Sequence, residues 1–153
     1  MKVSIDQKFS MQLPESFLQL SESELRTMGA NMEDEGLVFR DEAAHILLQF
    51  FWKKIPLFGG MTSLEKTVET TAQQHKKMVP GYRNFTLLEG VAAGEKAAGF
   101  SYEYTVQNID QITLYYCIRY EKKHYAFLCT MRKERFDGDH SWFEKLLAGA
   151  EKE

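Results

Sequence analysis

The chain has 153 residues, of which 44% are hydrophobic, 27% charged and 13% aromatic, a composition that excludes a disordered or fibrous chain and suits one domain able to bury its own core. A formal net charge of −3 sets up no field that would draw nucleic acid, whose binders carry a basic stripe. Two cysteines, Cys117 and Cys129, make no disulfide framework, which suits a reducing compartment, and the meander register read below puts them on opposite faces of the sheet, so both are expected as free thiols.

The first residues, Met1 to Lys8, carry charge but no apolar run, so no signal peptide or lipoprotein leader is read and a cytoplasmic location is the expectation. Phe9, Met11 and Leu13 alternate with polar residues and stop at Pro14, which predicts a first strand whose partner lies elsewhere in the chain. Ser21 with Glu24 forms a capping box and Gly29 a C-cap, predicting a short helix over about 22–28. Next come strands over 37–40 and 43–53, joined by a tight turn at Asp41 and Glu42. In the second, Ala44, Ile46, Leu48, Phe50 and Trp52 form one face and His45, Leu47, Gln49 and Phe51 the other, the pattern of a strand covered on both sides.

The loop that follows carries Ile55, Leu57, Phe58 and Met61, four large apolar side chains where loops are normally polar. Either they fold back onto the domain or they form an exposed contact patch beside Lys53 and Lys54. Thr62 and Glu65 make a second capping box, opening a helix with Leu64, Val68, Thr71, Ala72, His75 and Met78 or Val79 on one face, ended by Pro80-Gly81. Four strands over about 83–89, 97–106, 111–120 and 124–131 then make a meander. A last helix, capped by Asp137 or Asp139, bears the stripe Trp142, Phe143, Leu146 and Leu147.

This order predicts an α+β fold: an antiparallel sheet of about six to seven strands with helices packed on its faces, in a single domain spanning 1–153. The opening Phe-Ser-Met-Gln-Leu-Pro14, the long helix in mid-chain, the meander entered at Gly94-Glu-Lys-Ala-Ala-Gly-Phe-Ser-Tyr-Glu-Tyr104 and the closing Trp142-Phe-Glu-Lys-Leu-Leu147 together resemble the PsbP-like superfamily. Its relatives include Ran-binding Mog proteins, DcrB-type bacterial proteins and Eag-type secretion chaperones. The resemblance implies an α/β/α sandwich with no shared active site, whose members act by binding proteins or cofactor-bearing complexes.

No catalytic motif emerges. Gly90, Gly94, Lys96 and Gly99 superficially fit a phosphate cradle, but the first two glycines are too close for a P-loop, Glu95 puts a negative charge at the anion position, Ala97 replaces the hydroxyl, and a strand follows instead of a helix. A hairpin turn is the simpler reading. The histidines at 45, 75, 124 and 140 stand on separate elements with no metal-ligand spacing, and His45 and His75 are read on buried faces. No metal or cofactor is expected. Turns centred on Ile109 and on 121–124 would pair Tyr102 with Tyr116 and Tyr120 with Tyr125, putting Tyr102, Tyr104, Tyr116, Tyr120 and Tyr125 on one face, either core or ligand groove. On the reverse face this register puts Gly99, Ser101, Cys117, Ala126 and Leu128.

The expected function is therefore non-enzymatic: a protein- or peptide-binding domain, as a chaperone or adaptor, with no nucleic-acid or membrane partner, as monomer or homodimer. The alternatives are a small-molecule binder or enzyme with a cavity between the sheet and the second helix, and a structural homodimer subunit.

Overall fold

The structure, a computed structural model, describes residues 1–27, 35–57 and 62–153, and of residues 137–140 the backbone. Alternating Val3 and Ile5 build β1 (Lys2–Ile5), and Phe9 and Met11 build β2 (Phe9–Gln12). They form a hairpin through the three residues Asp6-Gln7-Lys8, in which Asp6 and Gln7 are left-handed at φ 54° and 55° and Lys8 N donates to Ile5 O at 2.9 Å. The partner expected from elsewhere thus lies just upstream. Its two apolar positions are too few to stand out as a pattern. Near the C-terminus β10 (Glu151–Lys152) joins the free side of β2 and completes a three-stranded sheet.

After β3 (Leu18–Gln19), the capping box at Ser21 forms as read: Glu24 N donates to Ser21 Oγ at 3.2 Å and Ser21 N to Glu24 Oε1 at 3.1 Å. It opens α1 (Glu22–Thr27), whose Leu25 packs with Leu20 and Val38; the expected cap Gly29 lies outside the described residues. Strands β4 (Glu35–Asp41) and β5 (Ile46–Lys54) pair antiparallel. His45 is not on a buried face: it is exposed in their turn at φ 57°. Helix α2 (Leu64–Met78) starts one residue later than its predicted cap, because Ser63 Oγ, not Thr62, accepts from Lys66 N at 3.1 Å.

The meander follows as β6 (Arg83–Ala92), β7 (Glu95–Val106), β8 (Ile109–Tyr120) and β9 (Lys123–Arg132). Helix α3 (Lys133–Ala148) leaves β9 directly, upstream of both Asp137 and Asp139, with no side-chain cap on its first turn. Its apolar stripe begins at Phe136, which packs on the core ahead of Trp142, Phe143, Leu146 and Leu147. The large sheet runs β3-β4-β5-β9-β8-β7-β6, every neighbouring pair antiparallel. On one face α3 and the three-stranded sheet cover the main core, which includes Phe9, Leu48, Phe50, Ile118, Tyr125, Phe127 and Phe143. The other face carries α2, over Ala98, Phe100, Tyr102, Tyr115 and Cys117, and the short α1. The α+β sandwich is as predicted.

The expected tyrosine face is not. The β7–β8 turn is the two-residue Gln107-Asn108, both left-handed at φ 50° and 64°, so Val106 pairs with Ile109 where Ile112 was expected, and Phe100 pairs with Tyr115. That displacement is odd, and an odd slip moves every side chain of one strand to the opposite face. The β8–β9 turn is Glu121-Lys122, with Ile118 on Tyr125 and Tyr116 on Phe127, an even displacement that keeps the faces. Tyr102 and Tyr104 therefore lie under α2, while Tyr116, Tyr120 and Tyr125 face the three-stranded sheet and α3. Gly99 and Ser101 likewise part from Cys117, Ala126 and Leu128.

The glycine-rich stretch is a hairpin turn at Ala93-Gly94, with φ 52° and 79°. Gly90 and Gly99 stand beside the ring of Tyr116: a Cβ on Gly90 would lie 3.3 Å from its Cε1. Tyr116 Oη donates to Glu144 Oε1 on α3 at 2.9 Å. The glycines thus make space for a tyrosine that fastens a helix to the sheet. ATP or GTP should accordingly leave the melting temperature unchanged, and a saturable rise would restore the phosphate-loop reading.

Candidate functional site

Because α2 lies over β7 and β8 and α1 over β4, the stripe between them along β5 and β9 is only partly covered: Leu128 is buried in the α2 cluster and Leu47 packs on the α1 cluster, while Leu47, Gln49, Phe51 and Thr130 stay half-buried. Its floor is Leu47, Gln49, Phe51, Ala126, Leu128 and Thr130, the residues of the two strands that point away from the main core. Two adjoining depressions occupy it. One, of about 220 Å³, lies between Phe51, Lys53, Tyr115 and His124 on the sheet and Thr67, Thr71 and Gln74 on α2. The other, of about 430 Å³, runs on past Met78, Pro80, Tyr104 and Val106. His75 and Leu128 line both, so they form one trough.

His75 sits at the junction with its Nδ1 2.9 Å from Tyr102 Oη, its ring edge-on to Phe100, Tyr102 and Tyr115. Burial holds it below the ordinary histidine range and pushes the Tyr102 hydroxyl up to about 12. At the other end Arg119 Nε donates to His124 Nε2 at 2.9 Å, which leaves the ring proton on Nδ1. His124 is held down by burial first and then by the charges of Arg119 and Lys53. Arg119 Nη2 donates to Thr62 O and Thr67 Oγ1.

Burial disfavours the charged form of both histidines in the folded chain, and unfolding removes that penalty. Since their folded pKa values lie below 6.5, the unfolded chain binds more protons just below pH 6.5, and stability falls as pH drops from there towards the folded values. His75→Gln should flatten that part of a melting-temperature profile. An unchanged slope would mean that His75 is not desolvated.

The sequence candidates separate. Tyr102 and Tyr104 border the trough. Tyr116 and Tyr125 are buried on the opposite face, Tyr125 donating to Asp6 Oδ2 at 2.6 Å, and Tyr120 packs there on Phe9. Those three fasten the N-terminal hairpin and α3 and form no groove. Of the apolar loop, Ile55 is half-buried with its N–H on Lys122 O at 2.9 Å, whereas Leu57 is 92% exposed. Phe58 and Met61 lie outside the described residues. Sequence reasoning missed Arg119, Leu47 and Leu128; the Arg119–His124 pairing becomes visible once the turn between them is set to two residues.

The cysteines are free and buried, Cys117 towards α2 and Cys129 towards the main core. Burial raises both thiols, Cys117 to about 11. Thiol titration should therefore find none reactive in the native protein and both after denaturation, and a single denatured thiol would contradict the separation. Among the described residues no group of three His, Cys, Asp or Glu side chains is placed to hold a metal ion, and no helix is long and apolar enough to cross a membrane.

No protein-family model matches the sequence, and no curated protein does. Solved structures do. The cyanobacterial PsbP protein CyanoP from Synechocystis sp. PCC 6803 superposes with a TM-score of 0.71 at 14% identity, covering 100% of this chain and 92% of its own. LpqN, involved in cell envelope biogenesis of Mycobacterium tuberculosis, gives 0.60 at 9% identity over 94% of this chain and 82% of its own. A Pseudomonas aeruginosa protein of unknown function, PA94, gives 0.56 at 9% identity over 97% and 93%. At such identities the likeness concerns the fold: two helical layers about an antiparallel sheet, in the same order along nearly the whole chain. The chain has the PsbP-like fold.

Proposed function

We propose that the protein is a non-enzymatic binding domain, acting as a chaperone or adaptor, and that it holds an amphipathic helix of a protein partner in the trough beside α2. The observation that carries this reading is the β5–β9 stripe, which the helices cover only in part. From Leu47 to Lys53 it extends for about 20 Å, the length of a helix of roughly thirteen residues. The midline of β5 and β9 stands two strand spacings, about 10 Å, from that of β7 and β8 under α2. Packed helices prefer an axial separation of about that size. Leu47, Phe51 and Leu128 supply apolar contacts, and Gln49, Thr130 and Gln74 a polar margin, the mixture of helix-in-groove recognition. The neutral, internally bonded histidines favour binding over catalysis, and the two free thiols agree with a cytoplasmic setting.

Selection of a displayed library of random helical peptides against the immobilised protein tests this. Peptides enriched on the wild type should fail on Phe51→Arg and Leu47→Arg, each of which should keep a cooperative melting transition because these side chains are only half-buried. No enrichment, or enriched peptides indifferent to both substitutions, refutes the proposal.

One observation favours self-association as a second reading. Edge strand β6 exposes Phe85, Leu87 and Val91 at 45%, 60% and 51%, and an exposed apolar edge is a template for strand pairing. A bulge between Arg83 and Thr86, with Asn84 at φ 55°, interrupts that edge. A mass that grows with concentration in sedimentation, and is lost in Leu87→Lys, would establish it.

A further inference from the structure

The smaller depression at the Lys53 end of the trough has a charge distribution that its apolar lining does not explain. Its wall carries Lys53, which stands opposite His124 across the β5–β9 ladder, and behind His124 the guanidinium of Arg119 is bonded to the ring. Every described Arg119 hydrogen bond goes to a neutral acceptor: the His124 ring, the Thr62 carbonyl and the Thr67 hydroxyl. Among the described residues no Asp or Glu lines the cavity. Glu65, which feels Arg119 through space, is bonded to Lys96 at 2.7 Å. One cation in the wall and a second behind His124 thus stand at an aromatic cavity of about 220 Å³ with no anion among its described lining residues. The same two cations depress His124 and oppose the upward shift of Cys117, so their field reaches across the cavity.

We infer that this cavity is an acceptor site for a carboxylate carried next to an apolar group, and that the carboxylate is an acidic side chain of the helix bound in the trough. The second half of the inference rests on the helix-binding reading; the first does not. Lys53 supplies a mobile donor at the mouth. The bond from Arg119 fixes the His124 tautomer with its proton on Nδ1, a second donor in the wall. Phe51, Tyr115 and Leu128 take the apolar part of the ligand. Arg119 acts from behind as a fixed charge and holds His124 in place, as a positioning residue.

Calorimetric titration with 3-phenylpropanoate and with its neutral amide separates charge from shape. The acid should bind at least about tenfold more tightly, the size of one charge-assisted hydrogen bond, and the preference should weaken as salt screens the partly exposed Lys53. Lys53→Gln, at an exposed position, should remove most of the preference without altering the melting temperature. Arg119→Gln should also lower it, with Arg119→Lys restoring part because the charge returns. Equal binding of acid and amide, no binding of either, or a preference that survives Lys53→Gln would overturn the inference. Helical peptides selected on the protein form the second arm. Exchanging their acidic residue for its amide should cost about tenfold on the wild type and little on Lys53→Gln. Enriched peptides that ignore this exchange would overturn the placement of the side chain. Should the acid bind selectively while no peptide is enriched, the acceptor site stands and the helix reading falls.

Discussion

Gly99→Ala should abolish cooperative folding or cost about 3 kcal/mol or more, beyond the usual range for a single added methyl. The added Cβ would lie 2.0 Å from the carbonyl oxygen of Tyr115 and 3.1 Å from Tyr116 Cδ1. Neither neighbour can withdraw. The carbonyl belongs to the backbone of β8, and the Tyr116 ring is pinned by its hydroxyl to Glu144 and by Phe143 at a centroid distance of 6.1 Å. Strand β7 is itself paired on both sides, Gly99 opposite Leu88 and Tyr116, so moving it disturbs two ladders. Gly94→Ala is the control: its nearest contact is Lys152 Nζ at 3.9 Å, and only its φ of 79° opposes a side chain, for about 1 kcal/mol. Urea denaturation followed by circular dichroism compares them. A Gly99→Ala cost no larger than the control's would refute the close approach of β7 and β8.

Phe50→Ala should cost about 3–5 kcal/mol, while Phe51→Ala, one residue along the same strand, should cost roughly 1 kcal/mol and abolish peptide binding. Phe50 has no exposed surface and meets Phe39 and Phe127 at centroid distances of 5.9 and 5.8 Å. Its removal leaves a void among rigid rings, with the cavity term added to the lost transfer energy. Phe51 points the other way, half-buried on the trough floor, where solvent can fill the gap. Similar costs for the two would mean that the β5–β9 stripe is as closed as the main core, and the trough reading would fail.

Most of the architecture was legible because apolar alternation and capping residues act locally: Ser21 and Glu24 close their box, and Phe9, Leu48 and Phe50 take the faces their spacing assigns. Strands β1 and β10 escaped because two or four residues carry too little pattern. The tyrosines were misplaced for a sharper reason. Ile109, an apolar residue between polar ones, reads in sequence as a loop tip, yet Gln107 and Asn108 are the turn and Ile109 begins β8. An odd error at one turn inverts a face; the even error at Glu121-Lys122 cost nothing. As for the site, Tyr102, Tyr104 and His75 were in hand, but the trough was not. It is defined by where α1 and α2 leave the sheet only partly covered, and helical periodicity says which side of a helix is buried, never which strands it crosses.

The β5–β9 pairing that floors the trough also sets an order of assembly. Leu47 meets Thr130 and Phe50 meets Phe127 across α2 and three meander strands, whereas β6 to β9 close successively through two-residue turns. Loop-closure entropy favours the short turns, so the meander can zip up as its strands become available while the distant pairing must wait. During synthesis β4 and β5 leave the ribosome long before β9 exists. For that interval they and the short β3 form only the edge of a sheet, marginal by itself, with Leu48 and Phe50 on one side and Leu47 and Phe51 on the other. The nascent half-chain thus leaves the β5 edge unpaired until β9 arrives and the Leu48–Phe50 face without α3 until the chain is nearly complete, and the finished protein shields one face of β5 less completely than the other.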